Sequence, residues 1–290
     1  MKRIILISLG LLSFGVNFSQ ESKVEEKLKI WYADEKYLKL ADKATGYLEG
    51  KYKKDPVPYI YASMALLRIS QNNDLAKDIP KAFKDALSYA GKYGKKDPEF
   101  QYYDKYINHF EELKEIVAEE IDNFLLEDDK TKIDKALKNS IALLKKINDM
   151  DPNDKGAQIL RGYLELHAKN SAVAKPILKE YIPMVETLKA TRAEMPPKAE
   201  LVEEDPKAKK KKKKGPEIKP LKPFEEMTAM EQRYLRMGLM YYAKYLHSKG
   251  KPDEAKQIIE IGKPYFYNKN ELSLAKYDPR YKEIYNKINS

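Results

Sequence analysis

The chain has 290 residues, with 55 Lys and Arg set against 45 Asp and Glu, and no cysteine. Without cysteine there can be no disulfide, thiolate metal site, cysteine nucleophile or lipidated cysteine. The net charge of +10 would suit a polyanion, but only seven of the 55 basic residues are arginine, the better fork for phosphates and base edges, and this disfavours a nucleic-acid partner.

Residues 1–20, MKRIILISLGLLSFGVNFSQ, place Lys2 and Arg3 ahead of an apolar run from Ile4 to Val16. That run is shorter than the ~20 residues a membrane-spanning helix needs. The pattern is that of a secretory signal cleaved near Ser19 and Gln20, and it predicts a periplasmic protein. From residue 21 onward Lys, Glu, Leu and Ala dominate, and apolar residues recur at spacings of three and four, so the chain reads as all-α. Helices are expected over 22–33, 35–50, 56–71, 78–93, 98–127, 131–149, 154–169, 171–193, 225–249 and 252–266, with a short tail helix after Pro279. Within the sixth, Ile133, Ala136, Leu137, Ile141, Leu144 and Ile147 form one amphipathic stripe.

Punctuation is regular. KYKKDP at 51–56 returns as KYGKKDP at 92–98, and Asp-Pro recurs at Asp151-Pro152, Asp205-Pro206 and Asp278-Pro279. Aspartate caps a helix start and proline fits its first position, while proline pushes the residue before it out of helical geometry. Lysines ahead of the box complement a helix C-terminus. The repeated box therefore reads as the end of one helix and the start of the next.

The segment 195–224 interrupts the helical pattern and separates a helical region over 21–194 from one over 225–290. Met195–Met227 holds six of the sixteen prolines and the run Lys209, Lys210, Lys211, Lys212, Lys213 and Lys214. Self-repelling charge and few apolar residues predict a disordered Lys/Pro-rich linker. A functional reading gives the six lysines an electrostatic contact with anionic membrane headgroups, glycan or an acidic protein face; the plainer reading is a solvated linker.

Tyr234–Gly262, YLRMGLMYYAKYLHSKGKPDEAKQIIEIG, resembles a tetratricopeptide repeat (TPR). Tyr234 and Gly238 match its first-helix aromatic and small residue, Gly250 its turn glycine, and Ala255 the alanine opening its second helix. Ser140, Leu144, Ile147 and Pro152 keep the family's spacing through a second helix, with Gly162 and Asn170 following in the small-residue and turn roles. His167–Asn170 and His247–Gly250 look like one helix end used twice, and Ala44, Leu48 and Pro56 suggest a further copy. The resemblance implies a right-handed solenoid of antiparallel helix hairpins whose inner helices line a groove. In the family's register Ile159, Tyr163, Leu166, Gln232, Leu235, Leu239 and Tyr242 would face it. Some family members clamp a terminal carboxylate with Lys and Asn at such positions. These residues are mostly apolar, so an extended or helical apolar segment of a protein is the ligand they suggest.

Candidate chemistry is sparse. GKYGKK at 91–96 lacks the glycine spacing and the Ser/Thr of a phosphate loop, and fits a helix end better. Asp149, Asp151 and Asn153 hint at a calcium loop, but Asp154 and Leu160 stand where that loop needs glycine and glutamate; capping by Asp151 is the better account. His109, His167 and His247 are far apart and read as structural, and the acidic runs at 111–113, 118–120 and 127–130 read as solvated helix faces. Tyr59, Tyr61, Tyr102, Tyr103 and Tyr106 read as packing. With no nucleophile, base and orienting group together, the expectation is a non-enzyme without cofactor, metal or small-molecule substrate. Its expected role is a scaffold for a protein partner in the cell envelope, with the Lys-rich run as an alternative, surface-binding function.

Overall fold

The computed structural model describes residues 23–125, 130–194, 226–268, 271–272 and 279–290. The expected signal at 1–20, the linker at 195–224 and its lysines Lys209–Lys214 lie outside the described residues. The described chain is all-helical apart from a two-residue antiparallel ladder, in which Tyr267 pairs with Leu272 and Asn268 with Glu271. Its helices are α1 (Lys23–Ala33), α2 (Tyr37–Leu48), α3 (Val57–Gln71), a single turn α4 (Leu75–Asp78) and α5 (Ala82–Lys96). After a 3-10 turn at Asp104–Tyr106 come α6 (Ile107–Leu125), α7 (Lys130–Met150), α8 (Lys155–His167) and α9 (Ser171–Glu194). The chain closes with α10 (Ala229–Ser248), α11 (Pro252–Phe266) and α12 (Pro279–Asn289).

Helices pack on near neighbours along the chain: α2 on α3, α3 on α5, α5 on α7, α8 on α9 and α10 on α11. Helix α8 also meets α7 and lies along α10, so it joins the two halves of the stack. Buried apolar side chains form one connected core from Val24 on α1 to Ile288 on α12. Leu137, Leu144 and Ile147 of the expected stripe are inside it, as are Tyr59, Tyr61 and Tyr106.

Three boundaries depart from expectation, each for a local reason. Helix α5 begins at Ala82 because Pro80 forces Ile79 to φ −131°, ψ 76°, which stops α4. Helix α6 starts at Ile107 instead of 98. Asp97 spends its carboxylate on a turn, accepting from the Gln101 and Tyr102 N–H groups at 3.0 Å each, and Phe100 sits at φ 53°. The two KKDP boxes therefore differ: Asp55 accepts from the Val57 N–H (2.9 Å) and opens α3, whereas the second box ends α5 and opens a turn. Asp151 does not cap α8; Asp154 does, accepting from the Ala157 N–H at 2.9 Å. Helix α10 begins at Ala229, behind a reciprocal cap in which Thr228 Oγ1 accepts from Glu231 N–H (3.1 Å) and Glu231 accepts from Thr228 N–H (2.8 Å).

The similar ends of α8 and α10 prove to be one residue out of step. The left-handed residue is Lys169 (φ 62°) in the first and Gly250 (φ 72°) in the second. Each is followed by an N–H that reaches back five residues, Asn170 to Glu165 O (2.8 Å) and Lys251 to Leu246 O (3.1 Å).

Glycine sets the crossing of α8 and α10. A Cβ on Gly156 would stand 2.3 Å from the Leu235 nitrogen, and one on Gly238 would stand 2.9 Å from the Leu160 nitrogen. Helices α8 and α10 thus touch backbone to backbone. At Gly162 the obstacle is instead the tip of the Leu178 side chain, at 2.9 Å, which can turn aside. Gly156→Ala should accordingly cost about 3 kcal/mol in urea unfolding, the upper range of overpacking, and Gly162→Ala about 1 kcal/mol. Equal losses would refute the backbone-contact account.

Candidate functional site

Polar chemistry inside the molecule centres on Lys114 of α6, whose side chain is fully buried. Its ammonium lies 2.8 Å from Asp151 Oδ2 and 3.0 Å from Asp154 Oδ2, with Glu111 Oε1 at 3.6 Å. The approach to Asp154 Oδ2 is off the hydrogen-bond axis, so that attraction is Coulombic. Tyr103 donates to Asp151 Oδ2 (3.0 Å), and Tyr234 of α10 donates to the Lys114 carbonyl (2.8 Å). Glu111 accepts from the Met230 N–H in the first turn of α10 (3.3 Å).

Burial alone would neutralise the ammonium, but Asp154 and Asp151 hold its pKa well above the usual lysine value. Burial, reinforced by Asp151, pushes the Asp154 carboxyl up to about 6, with Lys114 opposing. Asp151 goes the other way: burial would raise it, yet Lys114 and the Tyr103 hydroxyl hold it below the ordinary value. The cluster is a fastening between α6, the start of α8 and the start of α10. It also revises the reading of 111–113 as a solvated face, because Glu112 meets Arg68 bidentately at 2.6 and 2.8 Å. Asp149 of the supposed calcium loop turns away to Lys95 (3.1 Å).

The tyrosines near this cluster pack. Phe110 is sandwiched between Tyr93 and Tyr103, with centroids 4.9 and 5.0 Å apart and planes within 18°. His109 is buried with its Nε2 2.9 Å from Ser63 Oγ, and burial pushes its pKa down to about 3.

Two measurements test these assignments. Lys114→Met leaves like charges buried without their countercharge and should cost about 3–5 kcal/mol near neutral pH. Because protonated Asp154 needs no cation, the loss should shrink toward about pH 5; a pH-independent loss would contradict the ionic account. The lowered His109 pKa gives stability that is fully present above the unfolded value of 6.5 and lost as pH falls toward about 3. One proton corresponds to about 1.4 kcal/mol per pH unit. Asp154, being raised, acts in the opposite sense, its contribution being lost as pH rises through about 6. Thermal melts of His109→Gln should therefore show a flatter acid limb than the parent, and an unchanged limb would assign it to other groups.

The open surface lies at the other end of α8 and α10. A groove of about 650 Å³ runs between α9, α10 and α11, and a hollow of about 410 Å³ adjoins it beside the end of α8. The two share Leu166, Tyr245 and Lys249. Of the residues expected to face a groove, Leu166 and Tyr242 line the larger cavity, and Tyr163 lines the smaller while stacking on Tyr241 at 5.9 Å. Gln232 donates to the Met227 carbonyl at 3.2 Å. Ile159, Leu235 and Leu239 are buried between helices, at 1 % exposure or less, so the glycine crossing takes the surface that the repeat register assigned to ligand. Sequence periodicity missed the α9–α11 groove because its lining is drawn from three helices that are not adjacent in one stripe.

Comparison with family models, with curated proteins and with solved structures gives no match to this chain. Among the described residues no helix is long and apolar enough to cross a membrane.

Proposed function

We propose that this chain is an exported, TPR-like helical scaffold that binds a segment of another cell-envelope protein. The observation that carries the reading is the groove of about 650 Å³ between α9, α10 and α11, floored by apolar side chains and containing Leu166 and Tyr242. Its support in the fold is the run of packed neighbouring helices, the close α8–α10 approach at Gly156 and Gly238, and left-handed residues at the ends of both helices. Such a stack exposes apolar side chains between helices without exposing backbone, which suits capture of a helical or extended segment. Catalysis plays no part in the reading, since the buried charged groups around Lys114 fasten helices and do not line the groove.

A photoreactive benzoylphenylalanine in place of Tyr242, in the producing cells, tests it. Illumination should yield a discrete protein adduct from position 242 and none from exposed Lys27 on α1. Equal labelling at both positions, or none at 242, would overturn the groove as the binding surface.

A further inference from the structure

The lining of the groove carries more information than its shape. Leu178, Leu246, Ile258 and Ile261 form its floor, each between 4 and 6 % exposed. Among the described residues, Lys169, Lys175, Lys179, Lys244, Lys249 and Lys251 stand around the groove and the adjoining hollow, against Glu186 and Glu254. Lys251 and Glu254 already neutralise each other at 2.7 Å. The remaining described rim is five ammonium groups to one carboxylate. Helices α8 and α10 end at this edge, each C-terminus carrying about half a negative charge, but α9 and α11 begin at the same edge and offset them. The sign of the rim therefore remains strongly positive.

We propose that the groove takes an acidic amphipathic segment of a partner protein, apolar side chains seated on the floor and carboxylates meeting the lysine rim. This rests on the groove being a protein-binding surface. Lysine stems can cover apolar surface while their ammonium heads stay in water, so the same side chains serve floor and rim. A basic segment of equal hydrophobicity would meet like charges along α9 and around the end of α10, and the rim thus selects by repulsion as well as attraction. A lipid surface fits less well, because the apolar floor is recessed beneath the lysines and a flat layer of headgroups would leave it unfilled. The two hollows meeting at Tyr245 suit successive anchors on one helical face.

Fluorescence anisotropy on the purified full chain decides the matter with three labelled peptides that share leucines at helical spacing and carry Glu, Ser or Lys elsewhere. The Leu/Glu peptide should bind at least about tenfold more tightly than the Leu/Lys peptide. Lys175, Lys179 and Lys249 are all exposed, so Lys175→Glu, Lys179→Glu and Lys249→Glu combined should preserve the circular dichroism spectrum. That variant should reverse the order of the peptides, and salt near 1 M should weaken the parent's preference without abolishing binding. Equal binding of all three peptides overturns the acidic-partner assignment and leaves the groove reading standing. No binding by any of them overturns both. Binding of anionic vesicles that displaces the Leu/Glu peptide and is lost in the triple variant would reassign the surface to membrane.

Discussion

A single ammonium group held away from water sets the architecture of this protein. Isolated, a buried lysine would cost several kcal/mol, and its retention requires partners fixed on every side. Lys114 obtains them from the Asp151–Asp154 turn, from Glu111 one turn earlier on its own helix, and from the Tyr103 ring 5.8 Å away. Each partner has a second duty. Asp154 caps α8, Asp151 accepts from the Asn153 N–H (3.0 Å) within the turn, and Glu111 accepts from the start of α10. Displacing the start of α8 would strip Lys114 of two countercharges, and displacing α10 would break the Met230–Glu111 and Tyr234–Lys114 hydrogen bonds.

The glycine crossing complements this fastening. Charges locate the beginnings of α8 and α10 relative to α6, and Gly156 and Gly238 let the two helices then run in backbone contact. Closeness along the first half of each helix leaves side chains to fill the far ends, where tyrosines and leucines gather and the lysine-rimmed groove opens between α9, α10 and α11. The site and the fastening are thus opposite ends of the same pair of helices.

Much of this is legible in the sequence, and the illegible parts share a cause. Helix α11 occupies 252–266 as periodicity and Pro252 imply, and α3 and α7 fall within a residue of their expected bounds. The close approach at Gly238 is likewise readable from a glycine amid dense apolar residues. By contrast, Lys114 sits in EELKE, which local pattern renders as a solvated face; only the return of residues 151–154 from nearly forty positions away buries it. Asp97 and Asp151 resemble the cap at Asp55, but which N–H a carboxylate accepts depends on the turn that follows, as at Phe100. The start of α10 had a usable signal in Thr228 and Glu231, whose spacing is that of a reciprocal cap. The groove has no such local mark, because its floor combines Leu178, Leu246 and Ile258 from three separate helices.

Stacks in which each helix touches only its neighbours melt from their ends, since each unit's stability is nearly its own affair. The fastening at Lys114 sits instead near the middle of the chain and links α6 directly to α8 and α10, bypassing α7 and α9. Fraying of the last hairpin therefore cannot reach past α10 without exposing a desolvated cluster of charges. The buried lysine thereby makes α6, α8 and α10 depend on one another for their place in the core.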